Sequence, residues 1–196
     1  MQVSVMRERA SGETRVAATP ETVKKFIALG ASVAGEPGAG AGASIADADY
    51  AAAGASVSDQ ALAGADIVLG VQGPEPAALA GASDGAWLVA TLDPFGQRAR
   101  VDAYAAAGVE ALAMEFMPRI TRAQSMDVLS SQSNLSGYKA VIEAANAYGR
   151  AFPMMMTAAG TVSAARVFVM GVGVAGLWGI ATARRLGAQV SATDVR

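Results

Sequence analysis

Residues 166–196 read Arg166-Val-Phe-Val-Met-Gly171-Val172-Gly173-Val174-Ala-Gly176-Leu-Trp-Gly-Ile-Ala-Thr-Ala-Arg-Arg-Leu-Gly-Ala-Gln-Val-Ser-Ala-Thr-Asp194-Val195-Arg196. An apolar strand runs into Gly-x-Gly-x-x-Gly and a helix follows. A second apolar strand then ends at an acid 23 residues beyond the first glycine. This is the pattern of a βαβ dinucleotide-binding unit. Gly171 permits the tight strand-to-helix turn, Gly173 lets a pyrophosphate approach the backbone, and Gly176 lets the helix pack on the strand. The helix N-terminus offers free N–H groups and partial positive charge to phosphates. Asp194 would accept hydrogen bonds from the adenosine ribose, about 1.5–3 kcal/mol for a charged bond. It would also repel a 2′-phosphate, which favours NAD(H) over NADP(H); Arg196, two residues on, reads either as a surface arginine or as a charge that softens that bias. Two other readings of the turn stand beside this one: an empty α/β domain, and a methyltransferase turn that holds S-adenosylmethionine.

Working outward, the composition excludes whole classes of chemistry. The 196 residues are 53% apolar, enough for a core, but aromatics are only 6%, so packing relies on close backbone approach. There is no cysteine, hence no disulfide and no thiolate catalysis, and no histidine, which removes the commonest acid/base and metal ligand. Hydride transfer, which needs positioning more than proton shuttling, is compatible with what remains. The net charge of −2, without a long basic run, argues against nucleic acid and anionic membrane as partners. No signal peptide is visible in Met1–Arg7. Val167–Ala183 runs 17 residues without a charge, but its glycine turn and flanking arginines read as a buried strand and helix rather than a membrane span.

Upstream, strands alternate with helices. Strands are predicted at 2–6, 31–34, 66–71, 86–92 and 109–114. Helices are predicted from Thr19-Pro20 to near Gly30, at 47–53 and at 97–107. This spacing predicts a parallel α/β sheet. Thr19 caps and Pro20 opens the first helix. Residues 127–150 place Val128, Leu129, Leu135, Tyr138, Val141, Ile142 and Ala145 at helical spacing, and Pro153 and the Met-rich 154–157 then lead to the glycine turn. The expected organisation is an N-terminal α/β domain over 1–126, a connecting helix and crossover over 127–165, and the first half of a Rossmann-type domain over 166–196.

The segment between these domains, Met117-Pro-Arg119-Ile120-Thr121-Arg122-Ala-Gln124-Ser125-Met126-Asp127-Val-Leu-Ser130-Ser-Gln-Ser-Asn134, is too polar for a linker. Ser125 or Asp127 would cap the helix, but capping uses one residue and not a cluster. An Arg119–Asp127 pair would hold the loop, and Gln124 and Ser130 would suit an amide such as nicotinamide carboxamide.

This stretch, from Met114-Glu-Phe onward, resembles the signature of the NAD(H)-binding alpha subunit of proton-translocating NAD(P) transhydrogenases. So do Arg7-Glu-Arg with Glu13-Thr-Arg15-Val-Ala-Ala-Thr-Pro20, Phe152-Pro-Met-Met-Met-Thr-Ala-Ala-Gly160, and the glycine turn. The resemblance spans nearly the whole chain and is weakest over 56–108. It implies NAD(H) bound between two α/β domains, with hydride passing directly to NADP+ held by a separate beta subunit. It also implies a homodimer, and a membrane domain on a partner that couples transfer to proton movement. The expected location is cytoplasmic, peripheral to the inner membrane through those partners. The resemblance assigns Arg119, Gln124, Asp127 and Ser130 to the nicotinamide end, where the chemistry occurs. It assigns Ile120, Thr121, Ser125, Met126, Gly171, Val172, Gly173, Val174, Gly176, Asp194, Val195 and Arg196 to cofactor binding.

Alanine dehydrogenase, the sister family, shares the architecture and the N-terminal motif but uses a lysine and a histidine. Here the corresponding strand ends read Gly70-Val-Gln72-Gly-Pro74 and Ala90-Thr-Leu-Asp93-Pro94, with neither. Arg15 resembles that family's carboxylate-binding arginine and equally suits an ion pair with Glu8 or Glu13. Because the chain stops just past the ribose-reading acid, it also reads as a truncated copy, expected to bind NAD poorly alone and to leave the apolar faces of 167–170 and 190–192 without strand neighbours.

Overall fold

The computed structural model describes residues 1–195, and the chain divides into two units, Met1–Pro118 and Arg119–Arg196. The polar loop from Arg119 to Asp127 lies in the second unit. Arg196, assigned to the cofactor site above, lies outside the described residues.

The first unit is a six-stranded parallel sheet of β1 (Gln2–Val5), β2 (Ser32–Gly35), β3 (Ser56–Val57), β4 (Ile67–Gln72), β5 (Trp87–Thr91) and β6 (Glu110–Ala113), in the order β3-β2-β1-β4-β5-β6. β1 lies at its centre, and Val3, Ser4 and Val5 are all buried because both faces are covered. Val3 and Val5 share one face with Val33, and with Val23 of α1 (Pro20–Ala28) and Tyr50 of α2 (Asp47–Ala52). Val68, Leu88 and Ala90 point the other way, onto Tyr104 of α3 (Arg98–Ala106). Thr19 accepts a hydrogen bond from Thr22 N–H and Pro20 follows it, so α1 starts where its capping sequence starts. The strand order reverses between β1 and β4, which opens a crevice at their C-terminal ends.

The second unit holds α4 (Val128–Ala147), the antiparallel hairpin of β7 (Met155–Thr157) and β8 (Gly160–Val162), and the parallel pair β9 (Arg166–Met170) and β10 (Gln189–Thr193) joined through α5 (Val174–Arg185). The hairpin replaces the plain crossover read from the sequence. Val141, Phe152, Ala165 and Ala183 form the core of this unit, with Val167 and Val190 against them. Phe168 and Met170, on the other face of β9, are 61% and 81% exposed. α4 packs closely on α5, backbone against backbone at Gly137. A Cβ on Gly137 would overlap the Ala175 carbonyl, and Gly179 sits against Gly137 and Val141. Trp178 finds room at the surface, half-exposed beneath the Arg185 guanidinium at 5.8 Å. Among the described residues no helix is long and apolar enough to cross a membrane.

Candidate functional site

Gly171 ends β9 at φ 93°, in the left-handed region that glycine tolerates. A Cβ on Gly176 would overlap the Gly171 carbonyl oxygen, so the helix can close on the turn only with glycine there. Gly173 is the N-cap of α5 and makes no side-chain capping bond. The first N–H groups of α5 therefore have no side-chain cap, the arrangement that receives a phosphate. Asp194 stands just past β10, and its carboxylate accepts a hydrogen bond at 2.6 Å from Val172 N–H. The fold itself thus ties the acid to the turn. Val174 is 39% exposed and Val195 fully so.

The polar loop is a short 3-10 helix, Thr121–Met126, leading directly into α4. Asp127 caps α4: its carboxylate accepts from Ser130 N–H at 3.0 Å and from Ser130 Oγ at 2.6 Å. These bonds hold its carboxyl below the usual range, with the nearby Arg119 charge adding to them. Asp127 and Ser130 are therefore brought together, but Arg119 and Asp127 are not ion-paired: both carboxylate oxygens face Ser130 instead. Arg119, Ile120, Thr121, Gln124, Ser125 and Met126 are exposed, while Ala123 between them is buried.

The two halves of the site share an orientation. Gly137 faces Ala175 and Val141 faces Gly179, so α4 and α5 run in the same sense. The loop before α4 and the glycine turn before α5 consequently lie toward the same end of the second unit. At 1.5 Å per helical residue, the stretch from Ser130 to Gly137 sets Ser130 about 10 Å beyond the level of the turn. Gly137 is not among the residues assigned from sequence; its signal is an unexplained glycine inside a predicted helix.

The first unit has its own crevice of about 390 Å³ at the switch point between β1 and β4, lined by Glu8, Gln72, Thr91, Asp93 and Arg100 among others. Glu8 accepts from the N–H groups of Val71 and Gln72 at 2.5 and 3.3 Å, and burial pushes its carboxyl up. Arg15 pairs with Glu13 at 2.6 Å, and Glu13 also takes the Gln72 side-chain amide at 2.9 Å. The Arg15 bond is the main cause that holds the Glu13 carboxyl down at about 2. Glu115 plays the same role as Glu8 at the next strand, accepting from Leu92 and Asp93 N–H groups at 2.8 and 2.6 Å. Neither strand-end role is visible in sequence, because each joins residues more than twenty positions apart. This crevice is lined by neither a lysine nor a histidine. The second unit, with its uncapped helix start, fits a dinucleotide better.

Two family profiles cover nearly the whole chain. The profile of "Alanine dehydrogenase/PNT, N-terminal domain" matches residues 4–136, and that of "Alanine dehydrogenase/PNT, C-terminal domain" residues 140–196. The chain is 55% identical to the first portion of the divided NAD(P) transhydrogenase subunit alpha of Rhodospirillum rubrum and 46% identical to its namesake from Rickettsia prowazekii, in each case over all of this chain and 53% of the relative. A crystal structure of transhydrogenase from Sinorhizobium meliloti superposes with a TM-score of 0.96 at 56% identity, covering 100% of this chain and 59% of that one. An L-alanine dehydrogenase superposes at 0.84 with 27% identity, covering 100% and 55%. The chain thus spans about half the length of the curated relatives it matches.

Proposed function

The chain belongs to the alanine dehydrogenase/PNT family, and from that premise we propose that it is the NAD(H)-binding portion of an NAD(P) transhydrogenase alpha subunit. The observation that carries this reading is the pairing, in one unit, of the glycine turn clasped to Asp194 with the capped loop Arg119–Ser130. When bound, NAD(H) supplies the hydride, and NADP+ on a beta subunit receives it. The uncapped start of α5 would hold the pyrophosphate, with Gly171, Val172, Gly173, Val174 and Gly176 forming the cradle. Asp194 would select the unphosphorylated ribose, with Val195 and Arg196 beside it. Arg119, Gln124, Asp127 and Ser130 would orient the nicotinamide, flanked by Ile120, Thr121, Ser125 and Met126. In this reading the chain works as a homodimer, peripheral to the inner membrane on the cytoplasmic side, where a partner's membrane domain couples transfer to proton movement.

Two features favour this over an amino-acid dehydrogenase. Gln72 and Asp93 stand where proton-transfer residues would be needed, and Gln72 is held by Glu8 and Glu13. Direct hydride exchange needs no such groups. The test is titration of the full-length protein with NADH, followed by hydride exchange with NADP+ in the presence of the beta subunit. Failure to bind NADH, or NAD-dependent formation of pyruvate from alanine, would overturn the proposal.

A further inference from the structure

Charge is divided unevenly along this chain. The first unit holds seven Lys/Arg against fourteen Asp/Glu, a net −7; the second holds eight against three, a net +5. All three carboxylates of the second unit are engaged internally: Asp127 by Ser130, Glu143 by Lys139 at 2.5 Å, and Asp194 by Val172 N–H. Between Glu115 and Glu143 the only acid is the cap Asp127, whereas Arg119, Arg122 and Lys139 are all exposed. Among the described residues no carboxylate lies within ion-pairing distance of Arg119 or Arg122.

Within the short helix Thr121–Met126 only Ala123 turns inward, at 3% exposed, while Arg122 and Gln124 on either side of it are exposed. Around them Ile120, Met126 and Leu129 are 52%, 47% and 41% exposed. A surface with arginine, methionine and aliphatic side chains, without lysine or glutamate, has the composition of a protein–protein contact.

We infer that Arg122 is a docking cation that receives a carboxylate on the protein carrying the second nucleotide, on the loop that the proposed function assigns to the nicotinamide end. The inference rests on the transhydrogenase reading. An exposed, uncompensated guanidinium at the edge of a contact acts chiefly on association rate and on its salt dependence.

The experiment uses the full-length protein and its partner. NADH affinity is titrated, partner affinity is measured by calorimetry, and hydride exchange is followed against partner concentration at low and high salt. Arg122→Glu is expected to raise the half-saturating partner concentration about tenfold or more at low salt, with turnover at saturation and NADH affinity little changed, and the gap closing as salt rises. Arg122→Lys should recover most of the loss. An unchanged half-saturation in Arg122→Glu, or a matching fall in NADH affinity, would overturn the inference. So would a weakening that disappears with nucleotide-free partner, since the anion would then be a nucleotide phosphate. If the unsubstituted protein exchanges no hydride, it is the proposed function that fails.

Discussion

The carboxylate of Asp194 accepts a hydrogen bond from the backbone N–H of Val172, 22 positions earlier and inside the glycine turn. The second strand of the βαβ unit is thereby clipped to the turn after the first. Because the bond is to backbone, no change at residue 172 other than proline removes it, whereas loss of the carboxylate at 194 does.

Asp194→Ala therefore has two expected effects. NADH binding weakens by about 1.5–3 kcal/mol, the contribution of a charged hydrogen bond. The preference against NADPH shrinks at the same time, because the carboxylate that repels a 2′-phosphate is gone. Parallel titrations with the two nucleotides check this, and an unchanged ratio would remove Asp194 from its role.

Asp127 is both a helix cap and a member of the proposed site, and the two roles separate by substitution. Asp127→Ala should lower the melting temperature by several degrees through loss of the cap. Asp127→Ser keeps a capping oxygen and should recover most of that in thermal denaturation. If hydride exchange recovers equally in the serine variant, Asp127 acts only through the helix; if it stays low, the charge itself is needed.

At Gly176 and Gly137 an added methyl group would overlap backbone, at Gly171 and Ala175 respectively, and backbone cannot rotate aside. Alanine at either position is expected to cost at least the roughly 1–3 kcal/mol typical of overpacking. Gly137→Ala is the more informative, since residue 137 touches no proposed ligand position. A loss of NADH affinity there, in protein that remains folded by circular dichroism, would show that α4–α5 spacing sets the site.

Ser4 is fully buried in the central strand, and among the described residues its hydroxyl has no hydrogen-bond partner. Removing an unsatisfied hydroxyl is neutral or favourable. Ser4→Ala should leave the melting temperature unchanged or raise it, and a loss of about 1 kcal/mol or more, the worth of a made hydrogen bond, would contradict the assignment.

Glu13 gives a pH dependence with a definite sign. Its folded value, about 2, lies below the ordinary 4.5, so the ionised form is the stabilised one. The contribution is present above the ordinary value of 4.5 and is lost as pH falls toward 2. It should be on the order of 2 kcal/mol after allowance for screening at the half-exposed Arg15. Glu8, raised by burial, acts in the opposite direction. Comparison of Glu13→Gln with the unsubstituted protein from about pH 6 down to about pH 3 isolates the Glu13 contribution. The difference in unfolding free energy should narrow on acidification, and parallel curves would refute it.

How much is legible in the residues depends on the range of the interaction. The glycine turn, the Thr19 cap and the alternation of strands and helices are local, and each is read directly from neighbouring positions. β3 escapes such a reading because two residues carry no periodicity, and the β7–β8 hairpin because its alternation is hidden in a run of methionines. The Arg119–Asp127 pair is suggested by opposite charges eight positions apart. Ser130 competes from three positions away, at the helix start, and takes both oxygens. The strand-end carboxylates Glu8 and Glu115 depend on tertiary contacts that no sequence pattern announces.

The contact of Gly137 with Ala175 has a consequence for how a ligand would be received. Side chains usually act as a cushion between helices, and a cushion lets them slide by fractions of a turn. At Gly137 main chain lies on main chain, which pins α4 to α5 like one beam, with the cap of one helix and the phosphate cradle of the other as marks along it. A dinucleotide would meet a gauge whose length is set in advance, and the entropy of bringing its two ends to the right separation would already have been spent in folding.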